Sequence, residues 1–247
     1  MTAPHWAAGY YGDLYLASVE DLLTPALSAL EAGLVARLLG VRPGDRVLDA
    51  GCGHGRHLRG LAGRGLRAVG VDASGPYLAR ARALGLPGGT AVVRADVRAL
   101  PVRAEAFAGA YSWYASLFMF DDATNAAALA GLARAVRRGG RIVVQHANPL
   151  RLAAHPRESA VRDLPGGGRV EEESAFDAAR GVDRCARRMI RPDGTVVEGT
   201  AELRYYRPAE WSALAVACGL RVVELTSTAG STGAGAPDLV AVLEKPT

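Results

Sequence analysis

The chain has 247 residues, 49% hydrophobic and 22% charged, with 29 Lys and Arg against 25 Asp and Glu. That composition can bury a core without disulfides or a structural metal, and a formal net charge of +4 is too small an excess for the basic stripe of a nucleic-acid binder. Cys52, Cys185 and Cys218 fall at no zinc or disulfide spacing, and no leader, repeat or apolar run of about 18 residues is visible, so a globular protein of a reducing cytoplasm with no membrane segment is expected.

In chain order, helical spacing of Leu27, Leu30, Leu34, Leu38 and Leu39 predicts a helix over Pro25–Leu39. A Pro43-Gly44 turn leads into a short apolar strand, Arg46–Asp49, and then into the glycine-rich run Ala50-Gly51-Cys52-Gly53-His54-Gly55. A helix over Arg56–Arg64 follows, then a strand at Val69–Asp72 and a helix over Pro76–Leu84 with Ser74 as its N-cap. Further strands are expected at Ala91–Arg94, Phe107–Tyr114 and Arg141–His146, with a helix over Asp121–Val136. Such alternation implies a parallel sheet with helices on both faces, and right-handed crossovers bring the strand-to-helix loops at 49–55, 72–76, 96–101 and 112–120 to one edge.

Beyond residue 150 the alternation breaks. Runs near Arg169–Phe176, Asp183–Ile190 and Val196–Tyr206, with a Pro192-Asp193-Gly194 turn, read as an antiparallel excursion inserted into the α/β core. A helix over Pro208–Cys218 with Gly219 as its stop, and strands at Arg221–Thr226 and Leu239–Leu243, complete a seven-stranded sheet. The glycine-rich segment Ala229–Ala236 reads as a flexible hairpin loop.

The glycine run lets backbone approach a ligand closely. Its spacing differs from the dinucleotide pattern G-x-G-x-x-G, because Gly55 comes one residue early and Arg56 stands where the third glycine belongs. Asp49, at the end of the first strand, would repel a pyrophosphate and welcome a cation. S-adenosylmethionine (SAM) carries a sulfonium and an ammonium and no phosphate. Asp72 ends the second strand, where a carboxylate can accept both ribose hydroxyls. Asp96 follows the third strand and can take an adenine amino group, with the backbone at Val97 beside it.

Val47–Arg56, Gly70–Ser74 and Arg94–Pro101 together resemble the successive motifs of class I SAM-dependent methyltransferases, and Arg137–Val144 resembles the family's turn into its fifth strand. The resemblance covers about residues 35–146 and implies a doubly wound, mostly parallel seven-stranded Rossmann-like sheet with an antiparallel β insertion. It implies Gly51, Gly53 and Gly55 along the methionine part of SAM, with Asp49 and Cys52 beside them, Asp72 and Ala73 at the ribose, and Asp96 and Val97 at the adenine. The flanks, Tyr10–Tyr15 and Leu203–Trp211, are similar to the small-molecule subgroup that includes amino-sugar and glycine-type N-methyltransferases. That likeness implies residues 1–34 as a helical cover with Tyr11 over the cofactor. Residues 35–150 and 208–247 would then be the SAM-binding core, and 151–207 an insertion for the substrate pocket or dimer contact. Ser112 departs from the subgroup, where Asn is common.

Among candidate chemical groups, His146 follows the fifth strand and reads either as a general base or as a strand-end histidine bonded to backbone. Tyr114 is the first choice among the aromatics after the fourth strand for a pocket position. Arg204 and Tyr206 alternate onto one strand face, where they would orient an acidic substrate or line a dimer interface. The expected activity is methyl transfer to nitrogen or oxygen of a small-molecule metabolite or natural product, without nucleic acid or membrane partners and with a homodimer as one possible assembly. Alternatives are a SAM-binding protein with cyclising or isomerising chemistry, or an NAD-dependent oxidoreductase. A nucleic-acid methyltransferase is disfavoured because Ser112-Trp113-Tyr114-Ala115 replaces the Asn/Asp-Pro-Pro-Tyr/Phe run that would receive a flipped base.

Overall fold

The computed structural model describes residues 10–247, so the first nine residues of the expected N-terminal cover lie outside the described residues. Two helices open the described chain, α1 (Asp13–Val19) and α2 (Pro25–Leu39). The α2 boundaries follow from local chemistry: Thr24 accepts the Leu27 amide at 3.2 Å, Pro25 sits at the first turn, and Gly40 ends the helix with φ of 65°.

Strands β1 (Arg46–Ala50), β2 (Arg67–Asp72), β3 (Ala91–Arg94), β4 (Phe107–Ser112) and β5 (Val136–Ala147) alternate with helices α3 (Arg56–Ala62), α4 (Gly75–Ala83) and α5 (Asp122–Ala135). After α6 (Pro149–Ala154) come β6 (Arg157–Asp163), β7 (Arg169–Asp177), β8 (Val182–Ile190) and β9 (Val196–Arg204), then α7 (Pro208–Ala217), β10 (Arg221–Thr226) and β11 (Asp238–Glu244). The seven-stranded sheet has the order β10-β11-β5-β4-β1-β2-β3. Only β11 runs antiparallel, between β5 and β10. β1 lies between β4 and β2, so the chain reverses its direction of travel across the sheet there and opens a crevice at the carboxyl end of β1.

The two-residue period of the strands divides the core. Leu48, Ala110, Ile142, Val144 and Ala241 pack with Leu129 and Leu132 of α5 and Trp211 of α7. Val47, Ala68, Tyr111, Val143 and Val242 pack on the opposite face with Val35 and Leu38 of α2 and Leu58 and Leu61 of α3.

The excursion is a separate antiparallel sheet, β6-β7-β8-β9. Its inner face carries Glu172 opposite Arg187 and Phe176 opposite Asp183. Leu14 of α1 packs there against Val170 and Met189, and the Arg187 guanidinium lies 5.2 Å from the Tyr10 ring and 4.8 Å from the Tyr15 ring.

The structure departs from the sequence expectations at several places. β6 and α6 are additional; β6 is exposed along almost its whole length and so shows no apolar alternation. β4 stops at Ser112 because Tyr114 and Ala115 turn the chain with φ of 55° and 57°. β9 ends at Arg204, which leaves Tyr206 outside the strand. Residues 229–236 are tied down rather than free: Asn148 Nδ2 donates to the carbonyls of Gly233 and Ala236, at 2.8 and 2.9 Å. Among the described residues no helix is long and apolar enough to cross a membrane.

Candidate functional site

The crevice above β1 is a cavity of about 270 Å³ whose lining includes Asp49, Gly51, Cys52, Gly53, Asp72, Ala73, Asp96, Val97, Tyr11 and Tyr114. The residues expected at a cofactor are thus brought together. Gly51, with φ of 86°, crosses so close to the next loop that a Cβ there would collide with Ser116. Gly53, with φ of 53°, has open space where a Cβ would stand, its nearest neighbour being Tyr77 at 3.9 Å. Substituting Gly51 meets another loop, whereas a side chain at Gly53 meets the cavity.

Asp49 is buried, and its Oδ2 accepts the Tyr111 hydroxyl at 2.6 Å. Burial pushes its carboxyl up to about 7, against the Tyr111 hydrogen bond and the nearby Arg56. Asp72 joins two loops: Oδ2 accepts the Gly53 amide and Oδ1 the Ser74 amide, both at 2.8 Å. Burial raises its pKa, and those two bonds oppose the rise. Asp96 caps a short 3-10 turn at Val97–Ala99 and is held by Arg98, whose Nε lies 2.9 and 3.0 Å from its two oxygens. That pairing keeps the Asp96 carboxyl below its ordinary range. Arg98 in turn lies 4.7 Å from the Phe120 ring, another lining residue.

The N-terminal segment supplies a wall. Tyr11, Gly12, Tyr15 and Leu16 all line the cavity, and the Tyr77 hydroxyl donates to the Gly12 carbonyl at 2.8 Å. Opposite, Tyr114 is held by its own amide, which donates to Gln145 Oε1 at 2.7 Å, and by its hydroxyl, which donates to Glu31 Oε1 at 3.1 Å.

Glu31 was not singled out in the sequence. It sits buried on α2, and Oε1 also accepts Trp113 Nε1 at 3.1 Å, while Oε2 accepts His57 Nε2 at 3.1 Å and pairs with Arg56. Burial would raise its pKa, but the His57 and Arg56 contacts outweigh that and hold it at about 2. The only available signal was an acidic residue one helical turn before Val35 of the core stripe.

His146 departs from the role of general base. Its ring is fully buried and lines neither cavity. It stacks on Trp211 at 5.8 Å and on Tyr205 at 5.5 Å, and Nδ1 donates to the Ala147 carbonyl at 2.7 Å. Burial lowers its pKa to about 4, so the ring is neutral near pH 7. The strand-end alternative is the one the geometry favours. Ser112 is likewise buried away from both cavities.

Arg204 and Tyr206 are neighbours through ring contact, not strand alternation, with the guanidinium 4.2 Å from the Tyr206 ring. Arg204 Nε donates to Asp122 at 2.9 Å and Nη2 to Glu210 at 2.7 Å, and the Tyr206 hydroxyl donates to Asp122 at 2.8 Å. Arg204 therefore joins β9 to α5 and α7, and Tyr206 ties the segment after β9 to α5. Tyr206 is buried and lines neither cavity, which removes it as a substrate contact. Arg204 does line a second cavity of about 620 Å³, with Arg180, Glu202, Met119 and Phe120. Met119 and Phe120 line both cavities.

A bound SAM fits these groups by chemistry. Carboxylates end three successive strands, an open glycine gives backbone access, and a buried carboxylate at β1 suits a cation. Comparison with known proteins agrees. A family model described as a methyltransferase domain matches residues 47–140. A ubiquinone biosynthesis O-methyltransferase of Bordetella parapertussis is 32% identical over 120 residues, a match that spans 48% of each chain. The CcbJ methyltransferase of Streptomyces caelestis superposes with a TM-score of 0.79 at 24% identity, over 94% of this chain and 96% of that one. SAM-bound CalS10 of Micromonospora echinaspora, an amino pentose methyltransferase, gives 0.70 at 22% identity, over 94% and 98%. Over residues 47–140 the chain is similar to a methyltransferase domain, and its fold is the Rossmann-like fold of the methyltransferases on which it superposes.

Proposed function

We propose that this protein transfers the methyl group of SAM to a nitrogen or oxygen of a small-molecule acceptor. The observation that carries the reading is the convergence of Asp49, Asp72 and Asp96 on one cavity beside the open backbone at Gly53. In this reading Asp72, with Ala73, receives the ribose hydroxyls, and Asp96 with the backbone at Val97 receives the adenine. Gly51, Cys52 and Gly53 run along the methionine part, where the Asp49 carboxylate faces positive charge. Tyr11 and Tyr114 close the cavity from opposite walls. Bound SAM supplies an electrophilic methyl group, and the protein's task is to orient the acceptor in line with it and keep water out.

The second cavity, which shares Met119 and Phe120 with the first as lining residues, is the place this reading gives to the body of the acceptor. An amine is the better-suited nucleophile. Burial keeps the hydroxyls of Tyr11, Tyr15 and Tyr114 protonated, and it holds His54 and His57 down at about 4, a poor match for removing a hydroxyl proton. The likeness to an amino pentose methyltransferase supports the same preference, while the likeness to an O-methyltransferase keeps oxygen in view.

Titration calorimetry with SAM, S-adenosylhomocysteine and NAD tests the cofactor. Mass spectrometry of a panel of amines, amino sugars and phenols incubated with SAM tests the transfer. Binding of SAM and methylation of an amine are expected. Binding of NAD without SAM would overturn the reading.

A further inference from the structure

Among the described residues, Tyr114 and Ala115 stand side by side just beyond β4 with φ of 55° and 57°. A side chain is strained in that region of backbone space and glycine is not. Such strain persists only where the surroundings fix it. Here one residue fixes both positions. Gln145, buried near the end of β5, accepts the Tyr114 amide on Oε1 at 2.7 Å and the Ala115 amide on its backbone carbonyl at 3.1 Å.

The Gln145 side chain is itself oriented. Its Nε2 donates to Asp238 Oδ2 at 2.9 Å, and Asp238 Oδ1 accepts the amide and hydroxyl of Thr228 at 2.9 and 3.1 Å. The Asp238 carboxylate accepts and the Tyr114 amide can only donate. The two neighbours therefore leave one orientation of the Gln145 amide, with nitrogen towards β11 and oxygen towards the turn.

The strain is retained for a side chain. Glycine at position 114 would turn the chain without it. Tyrosine adds a ring that lines the cavity above β1, 5.1 Å from the Arg56 guanidinium, with its hydroxyl on Glu31 Oε1. The turn also begins the segment that supplies Ser116 to that cavity and Met119 and Phe120 to both cavities. A different turn would move all of them.

We propose that Gln145 is a positioning residue for the ligand site: from the end of β5 it holds the strained turn that sets the Tyr114 ring as a wall of the cavity, and Asp238 holds Gln145 in the orientation that does so. The inference rests on the SAM reading above. Gln145 and Asp238 line neither cavity, so their effect on a ligand passes through Tyr114.

The test is a double-substitution cycle read by titration calorimetry with S-adenosylhomocysteine. Gln145→Leu keeps the bulk of the side chain without its hydrogen bonds and should weaken binding about tenfold, as should Tyr114→Ala. The two together should bind within about twofold of Tyr114→Ala alone, because the second change acts through a ring already removed. Gln145→Glu sets two carboxylates against each other and should also weaken binding. Combined with Asp238→Asn, it exchanges donor and acceptor between the pair and keeps an acceptor facing the Tyr114 amide, so affinity should return to within about threefold of the unsubstituted protein. That rescue keeps the question answerable if Gln145→Leu does not fold. A lowered melting temperature with unchanged affinity in Gln145→Leu would make the residue structural only and overturn the proposal, as would additive losses in the cycle or a folded pair that fails to rescue. If the unsubstituted protein does not bind S-adenosylhomocysteine, the SAM reading itself fails, an outcome distinct from a failure confined to the variants.

Discussion

Asp72 shows how one residue can serve a ligand and the fold together. Its two oxygens tie the β1 loop to the β2 loop through the amides of Gly53 and Ser74, and the same carboxylate borders the cavity. Asp72→Ala should therefore do two things. Loss of the ribose contacts should weaken S-adenosylhomocysteine binding at least about tenfold, since hydrogen bonds to charged groups contribute about 1.5–3 kcal/mol each. Loss of the acceptor for two amides should lower stability by about 1–3 kcal/mol, which for a chain of this size is a melting-temperature drop of about 2–10 °C. Calorimetry and thermal unfolding separate the two effects, and a lowered melting temperature with unchanged affinity would leave Asp72 as a loop tie alone. The sequence made Asp72 visible as an acid after a strand. That it also anchors Gly53, 19 positions away, was not legible, because a strand-end motif fixes the position of a carboxylate and not what its oxygens accept.

At the scale of elements, the strands of the large sheet were legible because each is a short apolar run closed by a turn. The site motifs sit on those runs and were legible with them. The burial of His146 was legible only through the strand register. The two-residue period that places Ile142 and Val144 in the core under Trp211 also places residue 146 on that face, away from the cavity edge. Glu31 and β6 were not legible, the first because its partners come from 25 to 83 positions away and the second because its side chains face solvent. The inner face of the small sheet carries a testable cost of its own. Arg187 is buried beneath Tyr10 and Tyr15, pairs with Glu172, and leaves Nε and Nη1 without partners. Arg187→Met combined with Glu172→Met keeps an apolar stem against both rings and removes both charges of the pair together with the unpartnered donors. It should be neutral or stabilising, by up to about 1–4 kcal/mol. Arg187→Ala removes the stem and the ring contacts as well, and should cost about 2 kcal/mol or more. Urea unfolding of the two variants decides the matter, and an equal loss in both would show that the charge itself holds the N-terminal segment to the sheet.

For the molecule as a whole, burial of ionisable groups sets the response to acid. His54, His57 and His146 are each held down at about 4, chiefly by burial. In the unfolded chain they titrate near 6.5. Between those limits the unfolded state takes up protons that the folded state refuses, so stability declines as pH falls from about 6.5 towards 4. The loss amounts to about 3 kcal/mol per histidine at most. Asp49 works the other way. Burial lifts it to about 7, so the folded state binds a proton before the unfolded state does, and stability gains as pH falls from about 7 towards 4. Burial also raises the Asp72 and Asp183 carboxyls, which act in the same direction as Asp49, so these three carboxyls partly offset the loss from the three imidazoles. Glu31 and Glu210 act in a lower window: burial in each is outweighed by its partners, which hold both at about 2, and their contribution disappears as pH falls from about 4.3 towards 2. Urea midpoints measured from pH 8 to pH 4 should stay level at the top of the range and fall steadily below about 6.5. His146→Phe keeps a ring between Trp211 and Tyr205 but cannot be protonated, and it should remove about a third of the histidine-driven slope. A flat profile from pH 7 to pH 4 in the unsubstituted protein, or an unchanged slope in His146→Phe, would mean that the buried histidines are protonated in the folded state and would reopen His146 as a proton carrier.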